Sequence, residues 1–459
     1  MTQVTPFDAI AEREKGLERG LSAGQLSMIA IGGAIGTGLF LGSSFAIGFA
    51  GPSVLVSYGI GAIIALLLMC CLAEMTIAHP TSGSFGAWAE FYVSPLAGFL
   101  VRWAYWSCIV FAVGTEVTAI ALYMRFWFPG VPGWIWIAGF SALLIGINAV
   151  DVKVFGSVEY AFSALKIGVI LVFIALGGWI VTAQSGFANY TARGGFFPKG
   201  PGGTWVAVIV AIFSYLSIEM IAVAAGEAEN PRQAIRSALR ATVFRLIFFY
   251  LLSLALMVAI VPWDAAGPGG SPFVRVMAAT GLPGAAGVMN FVILVAALSA
   301  MNSQLYVSSR MMFSLSRAGF APAVFGKLSR RETPVASLLL SASGIALAAV
   351  VNGVAQGSAY IVMVAISMFG AMFTWMMIFV THVWFRRARS GATSWAGIMG
   401  AVLMAAILLT TSFTREFRMT LLCGVPFLSI LAVVYWRFHG RSLSVAAGVP
   451  DSRAHHVHD

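Results

Sequence analysis

Ile31-Gly32-Gly33-Ala34-Ile35-Gly36-Thr37-Gly38-Leu39-Phe40 sets four glycines within an apolar run long enough to cross a bilayer. Each interior glycine weakens a helix by about 1 kcal/mol relative to alanine. A continuous helix is therefore poorly enforced where the surrounding hydropathy calls for one. Unpaired backbone at membrane depth persists only where it lines a cavity or meets a ligand. If a second half-helix starts near Thr37, its free N–H groups and positive dipole end face a carboxylate, while carbonyls upstream accept from an ammonium. A zwitterion fits such a break end to end. The competing reading is close helix packing, since Gly32/Gly36 and Gly38/Gly42 are both small-xxx-small pairs. A dinucleotide fingerprint does not fit: no strand precedes the glycines, and position 41 is leucine where a third glycine belongs.

The chain around that stretch has 459 residues, 59% hydrophobic and 10% charged, with a mean hydropathy of +0.91. A soluble domain carries about 25% charged residues, so lipid is the expected solvent. A formal charge of +10 would suggest nucleic acid for a soluble protein, but here the basic residues cluster between hydrophobic runs and report topology. Cys70, Cys71, Cys108 and Cys423 lie in apolar runs without disulfide or zinc spacing and read as packing residues. Residues 1–23 are polar and of mixed charge, with no apolar core leading to a cleavage site, so no cleaved signal peptide is expected.

A bilayer core of about 30 Å takes about 20 apolar residues per helix. Apolar length and Pro, Gly or charged boundaries place spans at 26–50, 53–78, 98–127, 133–150, 158–183, 205–226, 239–262, 284–314, 335–352, 359–385, 395–412 and 418–437. An even count puts both termini on one side. Arg125, Arg193, Lys199, Arg275, Arg415 and Arg418 fall on the opposite side, and every other Lys or Arg except Lys166 falls with the termini, which makes the termini cytoplasmic. The expectation is a multi-pass protein of the cytoplasmic (inner) membrane: a transmembrane domain over 26–437 flanked by cytoplasmic segments 1–25 and 438–459. No soluble domain remains. His455, His456 and His458 read as a disordered tail rather than a metal site.

A second interruption falls in the sixth span, Phe213-Ser214-Tyr215-Leu216-Ser217-Ile218-Glu219, where two hydroxyls, a phenol and a carboxylate break an apolar helix. Serines bonding back to the preceding turn explain part of it. Glu219 is harder to dismiss, because an ionisable residue at that depth faces a cavity or a partner. One break opens the first five spans and the other opens the next five, the arrangement of inverted repeats whose first helices are both interrupted. Taken together, the breaks argue for a central site.

At these residues the chain resembles the amino acid–polyamine–organocation superfamily, and within it the bacterial permeases that include GABA, proline and aromatic amino acid carriers. The likeness is nearly full length. It rests on the motif from Gly33 to Phe40, on Phe213-Ser214-Tyr215 through Glu219, on Gly226-Glu227-Ala228-Glu229-Asn230-Pro231, on Ala297-Leu298-Ser299-Ala300-Met301-Asn302-Ser303 and on Ser308-Ser309-Arg310-Met311-Met312. The resemblance implies an all-helical, LeuT-type fold of about twelve transmembrane helices, with 26–183 and 205–385 as inverted repeats, 395–437 as two further helices, and helices 1 and 6 interrupted. It implies a substrate carboxylate at the N–H groups around Thr37 and Gly38, with the Thr37 hydroxyl and Ile35 and Gly36 alongside. It places the ammonium at carbonyls near Gly33, Ala34, Phe213 and Leu216, with Ser214 adjoining and Phe213 as an aromatic gate. Where the family often has glycine this chain has Ser217.

Five more ionisable positions bear on mechanism or packing. Lys166 lies about eight residues, or roughly 12 Å, into the fifth span. It either snorkels to the surface or, as the resemblance implies, takes the place of a sodium ion and serves proton coupling. Glu116 sits mid-span in helix 3 and either lines the substrate path or pairs with a neighbouring hydroxyl. Glu227 and Glu229, with Glu219, are assigned gating or structural roles. Glu74 reads as an interhelical partner, and 232–240 as a cytoplasmic loop helix near anionic headgroups.

The expected function is secondary active import of a neutral amino acid by alternating access, in symport with a proton and with membrane lipid as surroundings. A cationic amino acid or GABA carrier, an amino acid exchanger and a non-transporting sensor remain open. An enzyme finds no support in the motifs: HExxH, clustered His/Asp ligands, a Ser-His-Asp set and a nucleotide loop are all missing from the sequence, and no cofactor is expected. A channel lacks a repeated filter or a ring of like charges.

Overall fold

Capping and hydropathy together decide where this chain reverses. The computed structural model describes residues 6–13, 35–150, 152–225, 233, 235, 246–265, 271–354 and 359–438. The first helix, α1 (Pro6–Arg13), precedes the first membrane run. That run resumes at Ile35, passes through a π-turn over Gly38–Gly42 and continues as α2 (Ser43–Ala50). Gly51, at φ +63°, ends α2 in a conformation that favours glycine, and α3 (Val54–Ala78) follows.

Next come α4 (Ser84–Tyr92), α5 (Pro95–Met124), α6 (Gly133–Val150) and α7 (Val152–Ile180). The start of α5 is fixed by Pro95 at its first turn and by the Ser94 side chain, which accepts from the Ala97 N–H. The sixth span is split into α8 (Gly200–Tyr215) and α9 (Met220–Ala224). A π-helical segment, Leu246–Leu252, leads into α10 (Ser253–Ile260), followed by α11 (Pro272–Ala279) and the long α12 (Ala285–Arg317). The ninth span is two pieces, α13 (Val335–Ser341) and α14 (Ser343–Val354), and the chain closes with α15 (Ala359–Ser390), α16 (Trp395–Thr410) and α17 (Arg418–Phe438).

Each of the twelve expected spans has a helical counterpart among the described residues. Nine helical runs there are long and apolar enough to cross a membrane, Phe248–Ile260 and Trp395–Thr410 are shorter apolar helices, and the run Gly38–Ala78 contains two spans joined at Gly51. The structure adds three short helices that apolar length could not reveal: α1, α4 and α11. It also moves the start of the fifth helix six residues ahead of the expected 158, to Val152.

Burial separates the helices into two layers. The hydrophobic window of the Gly200–Val223 run is 94% buried and that of α5 89%, against 22% for α6 and for Arg415–Phe438. The inner layer is α5, α8, α12 and α15, with α5 packed on α12 and α15, and α2 and α3 packed on α8. Glycines let α14 and α15 approach α5 closely. A Cβ on Gly344 would lie 2.1 Å from the Val110 carbonyl oxygen, and one on Gly370 2.3 Å from that of Ala104. The arginine-rich end is bound by ion pairs of Arg13 and Arg102 with Glu90 and of Arg386 with Glu74, and Glu74 also hydrogen-bonds His382. Arg102, counted in the sequence as a loop-side cation, is fully buried and also donates to Ser314.

Candidate functional site

Ile35 and Gly36 are not helical, and helical geometry begins at Thr37 (φ −63°, ψ −20°). The backbone freed by this break is taken up from other helices. The Thr37 N–H donates to Glu116 Oε2 of α5 at 3.4 Å, and the Thr37 carbonyl accepts from the Tyr360 hydroxyl of α15 at 3.2 Å. The Ile35 carbonyl accepts from Lys166 Nζ of α7 at 3.3 Å, and the Gly38 carbonyl from Ser214 Oγ at 2.8 Å. Close approach requires glycine at two of these positions. A Cβ on Gly36 would stand 2.7 Å from Ala300 Cβ and 3.0 Å from Glu116 Oε1, and one on Gly38 2.8 Å from Ser214 Cα. Packing and helix interruption are thus features of the same residues.

The second break is built differently. Leu216 leaves the helix (φ −54°, ψ 158°) and Ser217 is left-handed at φ +78°, a region that glycine enters freely and serine does not. Glu219 holds the turn. Its Oε1 accepts from the Ser217 N–H at 3.2 Å and from the Tyr105 hydroxyl at 2.9 Å, and its Oε2 accepts from Trp375 Nε1–H at 3.1 Å. Nearby, Tyr58 and Tyr250 bind the Ser214 hydroxyl and carbonyl, each at 2.8 Å.

Between the breaks lies a cavity lined by Gly36, Gly38, Glu116, Phe213, Ser214, Leu216 and Ser217, all assigned to the site in the sequence, together with Ile109, Ala112, Ala300 and Gln304, which were given no site role there. Its free volume is about 20 Å³, room for one water. The breaks are therefore closed on one another in this conformation, and admitting a larger molecule requires their walls to part. Two polar atoms have no hydrogen-bond partner among the described residues: Gln304 Oε1 in the cavity lining and the fully buried Thr37 Oγ1 on the first break. Gly33, Ala34, Glu227 and Glu229 lie outside the described residues.

Lys166 does not line the cavity. It is fully buried, so it does not snorkel, and it lies behind the first break in a polar cluster between α7 and α12. That cluster includes Glu159, which the sequence reading missed. With the fifth span begun at 158, Glu159 resembled a residue at the membrane boundary. The helix in fact starts two turns earlier, and Glu159 is fully buried. Glu74 pairs with His382 and Arg386 across α3 and α15, an interhelical role as expected.

Comparison with known proteins extends these observations. The family model for amino acid permeases matches residues 25–435. The chain is 34% identical to the uncharacterized amino acid permease YtnA of Bacillus subtilis over 95% of its own length and 98% of that protein's. It is 32% identical to the probable threonine/serine transporter YbxG of the same organism, over 92% and 96%. To the aromatic amino acid transport protein AroP of Escherichia coli it is 37% identical, over 81% and 83%. Its course also follows the crystal structure of a manganese transporter from Eremococcus coleocola, with a TM-score of 0.59 and 12% identity over 90% of this chain and 95% of that one. That likeness concerns the fold alone, and the fold is the LeuT type implied by the sequence motifs.

Proposed function

This chain belongs to the amino acid permease family, and we propose that it imports a neutral amino acid across the cytoplasmic membrane by alternating access in symport with protons, both termini being cytoplasmic. The observation that carries the reading is the Glu116 carboxylate resting on the Thr37 N–H. A half-helix N-terminus is an anion site by virtue of its free N–H groups and dipole, and in this closed conformation an internal carboxylate occupies it. An amino acid carboxylate would take that position from Glu116, with the unpartnered Thr37 hydroxyl as a further donor. The Phe213 and Leu216 backbone across the cavity is the place for the ammonium. Phe213 and Leu216 are buried apolar walls that must move to open the cavity.

Two relatives bear names that refer to neutral amino acids, threonine/serine and aromatic, and this favours a neutral substrate. Residues 26–183 and 205–385 are the proposed inverted repeats, 395–437 two accessory helices, and 1–25 and 438–459 cytoplasmic segments. Lys166 on the Ile35 carbonyl would tie the protonation state of a buried amine to the shape of the first break. The test is counterflow in proteoliposomes preloaded with each of a panel of neutral and cationic amino acids and GABA, followed by uptake under an imposed pH or sodium gradient. Counterflow of a neutral amino acid with accumulation driven by the pH gradient is expected. Binding without counterflow would make the protein a sensor, and accumulation that needs sodium would remove the proton.

A further inference from the structure

The cluster behind the first break contains a second ionisable group with a continuous hydrogen-bonded path to the first. Lys166 Nζ and Glu159 Oε1 are 3.9 Å apart, beyond direct hydrogen-bonding distance. The Ser299 hydroxyl of α12 stands between them: it accepts from Lys166 Nζ at 2.7 Å and donates to Glu159 Oε1 at 2.5 Å. All three residues are fully buried. Glu159 is held from its other sides by Ser163 Oγ and Asn302 Nδ2, each at 3.4 Å, and Asn302 is oriented by Asn148 Nδ2 donating to its Oδ1 at 2.8 Å. The path therefore begins at the Ile35 carbonyl in the break and ends on a carboxylate between α6, α7 and α12.

We propose that Glu159 is the proton-accepting partner of Lys166, reached through Ser299, and that transfer along this path sets whether a charged ammonium holds the Ile35 carbonyl. In the transfer an N–H bond of Lys166 breaks as an O–H bond forms on Ser299. The original Ser299 O–H bond breaks as an O–H bond forms on Glu159. The pair passes from ammonium and carboxylate to amine and carboxylic acid, with nothing gained or lost. An ammonium is a stronger donor to the Ile35 carbonyl than an amine, so the break is gripped in one state and loosened in the other.

Other ionisable groups lie on the elements packed around the pair. Glu116 of α5 shares the first break with Lys166. Arg310 of α12 stacks on Tyr306, which in turn stacks on Phe155 of α7. Tyr250, from the π-helical segment beside α7, donates to Ser214. Among the described residues, α6 contributes the neutral Asn148. None of these interrupts the Lys166–Ser299–Glu159 path.

The inference rests on the proton-symport reading, so the test separates the two. Wild type, Glu159→Gln, Glu159→Asp, Ser299→Ala and Ser299→Thr are reconstituted, and each is assayed for substrate counterflow at fixed pH and for accumulation across a pH range under an imposed gradient. One pH unit drives about tenfold accumulation per coupled proton. Glu159→Gln is expected to lose that tenfold and flatten the pH profile while counterflow persists, with Glu159→Asp restoring both. Ser299→Ala should reproduce the loss with both charges still present, and Ser299→Thr should restore coupling, so the proposal stays testable if Glu159→Gln does not fold. Wild-type pH profiles in Glu159→Gln or Ser299→Ala would reduce the cluster to a structural ion pair and overturn the proposal. A wild-type protein whose accumulation ignores the pH gradient would instead overturn proton symport itself.

Discussion

The two breaks face one cavity, yet they are held open by opposite means. The first is made by missing side chains: glycines free the backbone, and the freed groups are met by residues from α5, α7, α8 and α15. The second is made by a present one: Glu219 folds back onto the Ser217 N–H and is fixed there by Tyr105 and Trp375. A break held by partners on several helices responds when any of those helices shifts. One held by its own carboxylate keeps its turn as long as α5 and α15 hold that carboxylate. The difference suggests that the first break reports the state of the bundle while the second serves as a fixed counterpart.

The sharpest way to break that contrast is at Glu219. Removing its carboxylate in Glu219→Ala strands the Tyr105 hydroxyl, the Trp375 indole N–H and the Ser217 N–H in a buried site, and unpaired donors cost roughly 1–3 kcal/mol each. A loss of roughly 3–5 kcal/mol is expected, seen as a large drop in thermal midpoint in detergent or as loss of a monodisperse peak on size exclusion. Glu116→Ala removes the long hydrogen bond to the Thr37 N–H and should lower the midpoint less than Glu219→Ala does while altering substrate binding. Equal losses in the two variants would erase the distinction between the breaks.

Gly38 tests the first break directly. A Cβ there meets the Ser214 backbone at 2.8 Å, and backbone cannot swing aside as a side chain can. Gly38→Val should destabilise by about 1–3 kcal/mol and abolish substrate binding, measured by ligand-induced thermal shift. Gly42 is the control. A Cβ there meets nothing closer than Val210 Cγ1 at 3.5 Å, so Gly42→Ala should bind as wild type does. Wild-type binding by Gly38→Val would show that the two breaks separate before substrate arrives.

Both breaks were legible because each is a local violation of a strong pattern: glycines or hydroxyls and a carboxylate inside an apolar run. Their partners were not. Tyr105 and Trp375 lie 114 and 156 residues from Glu219, and spacing along one chain does not encode such meetings. Gln304 was unreadable for a related reason. The core stretch of α12 is buried on every side, from Val292 to Ser316, so no polar face marks which residues point at the cavity. Glu159 was lost to a boundary: a carboxylate one residue into an assumed span resembles a loop residue, and only the helix starting at Val152 puts it in the interior. The short α1 and α4 escaped because apolar length, the measure that found the spans, is blind to them.

Ser217 carries the smallest expected effect and the most specific one. At φ +78° a residue with a Cβ is disfavoured by about 1–2 kcal/mol, and glycine offsets part of its own gain by losing more freedom on folding, about 0.5–1 kcal/mol. Ser217→Gly should therefore stabilise the protein by about 0.5–1 kcal/mol, read as a small rise in thermal midpoint. The same substitution at Thr37, whose φ of −63° needs no such relief, should lower it. A fall in Ser217→Gly would mean that the serine side chain itself holds the turn. Glu219 would then share with Ser217 the fixing of the second break, and that break would depend on more than its own carboxylate.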